Sequence, residues 1–251
     1  MENKKKRIDI ILPNFNSSNY IKETLKSVVN QTYTNWNLII VDDCSDKKTV
    51  NILKKYSKNK RFKIYLLKKN RGAGYCRNYA IKKSKSPYVA FLDSDDLWKK
   101  NKLKNQIGIM KKNKLDLTCT YYSIIDDYDN IKSIRKVSNE ISYNQISKRC
   151  DIGLSTVIIK SKIMKKYKFP ILKTQEDLGL WLNLLRDGHS FYPIKRSYSF
   201  WRKSNKSLSS NTYQKIKDAF KLFYYYENKN LIFSFYSVVI LSLNKLTKLK
   251  S

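Results

Sequence analysis

At 251 residues, with 52 Lys and Arg against 20 Asp and Glu, the chain carries a formal charge of +32, and its length allows one large domain that buries about 70–75% of its surface. Cys44, Cys76, Cys119 and Cys150 form no Cys-x-x-Cys pair, so neither a zinc ribbon nor a disulfide framework is indicated and a reduced, cytoplasmic setting is expected. Such charge would draw nucleic acid, an anionic membrane face or an anionic substrate, but the lysines run along the whole chain and no nucleic-acid-binding module is recognisable, so nucleic acid is not an expected partner.

The basic start, Met1 to Arg7, leads into only a short apolar run before Pro13 and Asn14, which reads as a first strand and not as a signal peptide. Ile21, Leu25, Val28 and Val29 recur at helical spacing and predict an amphipathic helix over 18–30. A strand ending at Asp43 follows, then a helix over 47–57, a strand from Phe62 to Leu67, a helix from Gly74 to Ser84 and a strand from Tyr88 to Leu92. Trp98, Leu103, Ile107 and Met110 mark another helix, and Leu115 to Ile125 a further strand. Strand and helix thus alternate four times, which predicts an α/β fold with a doubly wound, mostly parallel sheet and helices on both faces.

Beyond Asp126 the pattern weakens to a polar stretch up to Gln145, an apolar run from Leu154 to Ile159, a helix over 175–186, a strand-like run from Phe191 to Trp201, and two helices from Thr212. The expected division is one domain over 1–210, with a binding half at about 7–125 and a second half at about 126–210, plus a C-terminal helical extension over 211–251. Leu231 to Leu243, flanked by Lys229 and Lys245, is too short to span a bilayer. It reads either as a core helix or as an interfacial helix in peripheral contact with an anionic membrane.

Ligands of parallel sheets bind outside the carboxyl ends of the strands, and three predicted strands end there in polar or acidic residues: Pro13-Asn14-Phe15-Asn16, Asp42-Asp43, and Asp93-Ser94-Asp95-Asp96. Strand alternation sends Asp93 and Asp95 to one side and Asp96 to the other, or into the following loop. Two carboxylates so placed can hold Mg²⁺ or Mn²⁺ and leave positions for phosphate oxygens; an Asp-rich turn capping a helix near Lys99 is the bland alternative. Asp46 suits a helix cap, Asp43 could accept from a donor edge such as the uracil imide, Pro13 suggests a rigid turn and Phe15 an aromatic face.

In Asn70 to Asn78, Arg77 stands where a dinucleotide fingerprint needs its third glycine, and no Gly-x-x-x-x-Gly-Lys loop exists. Arg77 is therefore a candidate partner for a phosphate or for the acids themselves. Glu176-Asp177 opens an apolar helix that Thr174 could cap, where acids also favour the macrodipole. With His189 the only histidine, base chemistry near neutral pH falls to a carboxylate.

Six ordered motifs, Ile11 to Asn16, Gln31-Thr32-Tyr33, Ile40 to Ser45, Asn70 to Asn78, Phe91 to Asp96 and Glu176-Asp177, make residues 7 to 205 resemble a family 2 glycosyltransferase of the GT-A fold. The C-terminal part, with Trp201-Arg202, resembles bacterial members that build surface polysaccharides such as teichuronic acid. The resemblance implies inverting transfer of a sugar from a nucleotide diphosphate, commonly UDP, to the hydroxyl of a saccharide or lipid-linked saccharide, with Mg²⁺ or Mn²⁺, in the cytoplasm or on the cytoplasmic membrane face. It implies that Pro13, Phe15 and Asp43 hold the base, Arg77 supports the nucleotide, Asp93 reaches the ribose or metal, Asp95 is the principal metal ligand and Asp96 lies near donor sugar or metal. Asp177 would be the base, with Glu176 beside it, and Trp201 and Arg202 would meet substrate, the segment from Arg202 to Ser207 closing as a basic lid. Asn14-Phe15 stands where Thr-Tyr is frequent in the family. A metal-dependent nucleotidyltransferase would want a glycine-rich basic loop near its first strand, an Asp-x-Asp phosphatase would carry its motif on the first strand, and a non-enzymatic binder of RNA or anionic lipid rests on charge alone.

Overall fold

The computed structural model describes residues 7–203 and 211–248. In chain order it contains β1 (Ile8–Asn14), α1 (Ile21–Val29), β2 (Trp36–Asp42), α2 (Lys47–Tyr56), β3 (Phe62–Leu66), α3 (Ala73–Lys83) and β4 (Tyr88–Phe91). There follow β5 (Leu97–Trp98), α4 (Lys102–Lys112), β6 (Leu117–Ile125), β7 (Ile131–Arg135), α5 (Tyr143–Lys148), β8 (Ile158–Lys160) and α6 (Ser161–Met164). The last elements are α7 (Glu176–Arg186), β9 (Tyr192–Arg202), α8 (Thr212–Lys221) and α9 (Leu231–Lys248).

The first four strands lie parallel in the order β3-β2-β1-β4, so the polar segments after β1, β2 and β4 emerge at one edge. Every residue of β1 is buried because helices cover both faces. Side-chain parity divides the interior accordingly. Ile8, Ile10 and Leu12 pack with Leu38, Ile40 and residues of α1, α2 and α4, whereas Ile11, Ile39 and Phe91 pack with residues of α3 and α7.

The α/β class is as expected, and the parallel winding ends at β4. The position beside β4 is taken by β8, antiparallel both to β4 and to β6, while β6 pairs parallel with β9, and β5 and β7 add antiparallel partners. The sheet is therefore mixed. β8 is a three-residue piece of an apolar run whose start forms a 3₁₀ turn at Leu154–Thr156, too short for its direction to show in the sequence. Trp98 lies in β5 and not in the expected helix, because its indole N–H donates to the Ser155 carbonyl at 2.8 Å and its backbone pairs with β9. β7 escaped detection because four of its five residues are exposed and carry no alternation.

Asp9 is a buried carboxylate near the start of β1. It accepts from Asn37 Nδ2, Ser84 Oγ, Lys85 N, and both N and Oγ of Ser86, all at 2.7–2.9 Å, tying β2 and the α3–β4 turn to the central strand. Burial opposes its ionisation, yet these bonds hold its pKa below the ordinary value. Asp9→Ala strands several buried donors and is expected to cost about 3 kcal/mol, measurable by urea unfolding.

The C-terminal helices pack on the domain. Ala219, Leu222, Phe223 and Val238 join the core that contains Leu178, Leu180 and Trp181 of α7. Glu227 accepts from the Tyr143 hydroxyl at 2.6 Å and from Arg186 at 3.0 Å. Among the described residues no helix is long and apolar enough to cross a membrane.

Candidate active site

On the β1–β2 side, the sequence motifs divide into framework and exposed surface. Asn14 is buried and gives its amide to Asp42 Oδ1 at 2.6 Å, while its Oδ1 accepts from Ser17 Oγ. That amide is committed to the loop framework. Pro13 is a buried residue of β1 and not part of a turn, since the strand runs on to Asn14; Phe15 beyond it is 46% exposed and offers an aromatic face. Asp43 is buried at the end of β2, its two carboxylate oxygens accepting from the Arg71 and Gly72 amides at 2.7 Å each. It thereby holds the following loop, and the Cys76 thiol of α3 hydrogen-bonds to the same carboxylate. Gly72 turns the chain at φ +86°, a conformation that favours glycine. Asp46 caps α2 as expected, accepting from Thr49 N at 2.7 Å.

The acids after β4 form a tight turn instead of continuing the strand, Asp96 N donating to Asp93 O at 3.2 Å, so strand alternation does not govern their directions. Asp93 faces Arg77. Asp96 points inward at 2% exposure, accepting from Ser155 Oγ at 2.5 Å and from Arg202 N at 3.1 Å. Asp95 is half-buried, and its pKa is pushed up to about 6 by burial and by the Asp93 charge.

Arg77 joins the two halves of the site. From α3 its guanidinium meets Asp93 Oδ1 at 2.7 Å and Glu176 Oε1 at 2.6 Å, bringing the acid turn and the start of α7 together. Gly74 lets α3 approach the strand-free segment that leads to α7, because a Cβ there would stand 2.6 Å from Pro170 O. Asn78 then clips the Phe169 backbone with two hydrogen bonds. Asp177, half-buried beside Glu176, has its pKa pushed up to about 7 by burial first and by the Glu176 charge second. Thr174 does not cap α7. Its N–H and Oγ1 both donate to Asp218, and the cap position falls to Gln175 in the left-handed region at φ +66°.

Arg202 and Ser155 support the acid turn from beneath. Arg202 is 2% exposed; its Nε donates to Asp95 O at 3.1 Å, its Nη1 meets Asp129 at 2.7 Å and its Nη2 meets Glu23 at 3.0 Å. Burial and these three anchoring partners make Arg202 a fixed post under the turn and not a moving part of the lid expected from the sequence. The rest of that lid, Ser204 to Ser207, lies outside the described residues, and Trp201 is half-buried beside Arg202 at the end of β9. Ser155, which the sequence did not single out, donates to Asp96 and accepts from Asp93 N at 3.1 Å. Its only signal is a hydroxyl at the head of an apolar run. Arg202→Ala is expected to cost about 2–3 kcal/mol and to weaken nucleotide binding through the displaced turn, read by unfolding and by calorimetry.

Asp93, Asp95, Asp96, Glu176 and Asp177 thus share one region with two arginines, Arg77 and Arg202, leaving it acidic within a strongly basic protein. Among the described residues no three His, Cys, Asp or Glu side chains form a closed metal cage. A divalent cation held by one or two carboxylates and completed by substrate phosphates needs none, and an undercompensated Asp95 suits that role.

The sequence profile of Glycosyl transferase family 2 matches residues 9–170. The chain belongs to this family. As a family 2 glycosyltransferase it is 35% identical over 235 residues to the Bacillus subtilis protein named "Putative teichuronic acid biosynthesis glycosyltransferase TuaG", covering 93% of this chain and 92% of that protein. It is 34% identical over 212 residues, 84% of this chain and 82% of the relative, to the Escherichia coli UDP-Glc:alpha-D-GlcNAc-diphosphoundecaprenol beta-1,3-glucosyltransferase WfgD. Among solved structures, S. aureus TarS 1-349 in complex with UDP-GlcNAc superposes with a TM-score of 0.73 at 24% identity, over 86% of this chain and 64% of that one. The chain accordingly has the GT-A architecture. Glu176, Asp177, Trp201 and Arg202 lie beyond the segment matched by the family profile.

Proposed function

We propose that the protein is an inverting glycosyltransferase that moves a sugar from a UDP-sugar to a hydroxyl of a saccharide acceptor carried on a lipid, in bacterial surface polysaccharide synthesis. The observation that carries this reading is the Arg77 guanidinium held between Asp93 and Glu176, because it joins a strand-end acid turn to a carboxylate pair suited to base chemistry. Phe15 would stack on the base and Asp43 would accept from its imide N–H. Asp93 would meet the ribose, Asp96 would shape the sugar side, and Asp95 would be the principal ligand of Mg²⁺ or Mn²⁺. Such a cation, when bound, offsets charge on the departing diphosphate.

Asp177, ionised, would take the proton of the acceptor hydroxyl as that oxygen forms its bond to the anomeric carbon and the bond to the diphosphate breaks on the opposite face; one proton moves to the carboxylate and UDP leaves. Attack opposite the leaving group inverts the anomeric configuration. UDP specificity and the lipid-linked acceptor draw support from the name of the Escherichia coli relative, and that acceptor would set the protein to work at the cytoplasmic face of the membrane. Incubation with a panel of UDP- and GDP-sugars plus Mn²⁺, following slow hydrolysis of the donor, tests the reading. UDP release from at least one UDP-sugar is expected; no nucleotide release from any donor, with no thermal stabilisation, would refute it.

A further inference from the structure

α9 is apolar around its circumference but covered on one side only. Ser234 and Val238 are buried against the domain, and Asn244 donates to the Lys148 carbonyl at 3.1 Å. On the other side Ile232, Phe235, Tyr236, Val239 and Leu243 follow one another at helical spacing and stand 52–77% exposed. The preceding turn adds Tyr224, Tyr225 and Tyr226, all exposed. A helix hydrophobic all round belongs in a core or in lipid, and a continuous exposed apolar patch of this kind marks a binding surface.

Charge decides what covers it. After Asp187 the sequence holds two acids, Asp218 and Glu227, both buried and consumed by Thr174, Tyr143 and Arg186. Lys217, Lys221 and Lys229 are exposed beside them. The surroundings of the stripe therefore present cations, tyrosines and apolar side chains, the composition that settles in an anionic lipid interface. A second copy of the chain would bring another +32 against this one, which disfavours self-association. α9 cannot cross a bilayer, so it would lie in its surface.

We propose that the outer face of α9, with the adjoining tyrosines and lysines, docks the protein on an anionic membrane surface; the proposal rests on the lipid-linked acceptor reading for its biological purpose, though its test does not involve the acceptor. The full chain is floated with vesicles of phosphatidylcholine, with or without phosphatidylglycerol. Binding is expected to the anionic vesicles and to fall as salt is added. The double variant Ile232→Ser with Phe235→Ser should bind at least about tenfold more weakly, with an unchanged circular dichroism spectrum and unchanged donor hydrolysis in the absence of vesicles. Wild-type protein that ignores anionic vesicles, a double variant that binds them as well as wild type, or a wild-type dimer in lipid-free buffer that the double variant abolishes would each overturn the proposal. Donor hydrolysis, measured separately, reports on the catalytic reading alone.

Discussion

Asp177→Asn is expected to lower turnover by about 10²–10⁴-fold while leaving UDP-sugar affinity unchanged, since a general base acts on the transition state and contributes that much. The amide keeps the shape of the carboxylate and cannot take a proton. The wild-type pH profile should carry the same signature. With the Asp177 pKa pushed up to about 7 by burial and Glu176, kcat/KM should fall about tenfold per pH unit below that value, as the carboxylate becomes protonated. Stability runs the other way. The folded protein keeps a proton on Asp177 that the unfolded chain loses at ordinary carboxylate pH, so stability declines as pH rises from about 4 through 7. The Asn variant lacks that penalty and should melt no lower than wild type at pH 8. Retained turnover in Asp177→Asn, or an acid limb near pH 7 that the substitution leaves in place, would remove Asp177 from the base role, whereas a residual limb near pH 6 is expected from Asp95.

Asp95→Asn should weaken Mn²⁺-dependent donor binding by about 100-fold or more, because loss of a direct ligand exceeds the 10–100-fold effect of outer partners. Calorimetry with UDP separates the outcomes. Wild type should bind UDP with Mn²⁺ and lose most of that affinity in EDTA, whereas the variant should bind weakly in both conditions. EDTA-insensitive UDP binding by wild type would mean that the acid turn meets the nucleotide without a metal. Asp96→Asn is a useful contrast: its carboxylate is buried against Ser155 and Arg202 N, so the effect should appear in the melting midpoint.

The parallel half of the fold was legible because β1, β2 and β4 are buried on both faces, which makes their apolar runs continuous and ends them in polar residues. The mixed half was not. β8 and β5 contain three and two residues, below the length at which periodicity carries information, and β7 is solvent-exposed. In the site, residue type revealed which side chains would gather but not how they orient. Asp93, Arg77 and Glu176 converge as the motifs suggested, yet Arg202 turned out to be a buried post, since its partners Glu23, Asp95 and Asp129 come from segments whose proximity only the tertiary fold creates. Thr174 was misread for a similar reason, because Asp218 on α8 competes for its hydroxyl.

Anomalous diffraction from crystals soaked with UDP and Mn²⁺ tests the central claim most directly. The expected result is one manganese peak within coordination distance, about 2.0–2.3 Å, of an Asp95 oxygen, with the diphosphate completing its shell and Asp177 facing the open side. A peak remote from the Asp93–Asp96 turn, or UDP bound with Asp95 and Asp177 on different surfaces of the nucleotide pocket and neither near the diphosphate, would contradict it.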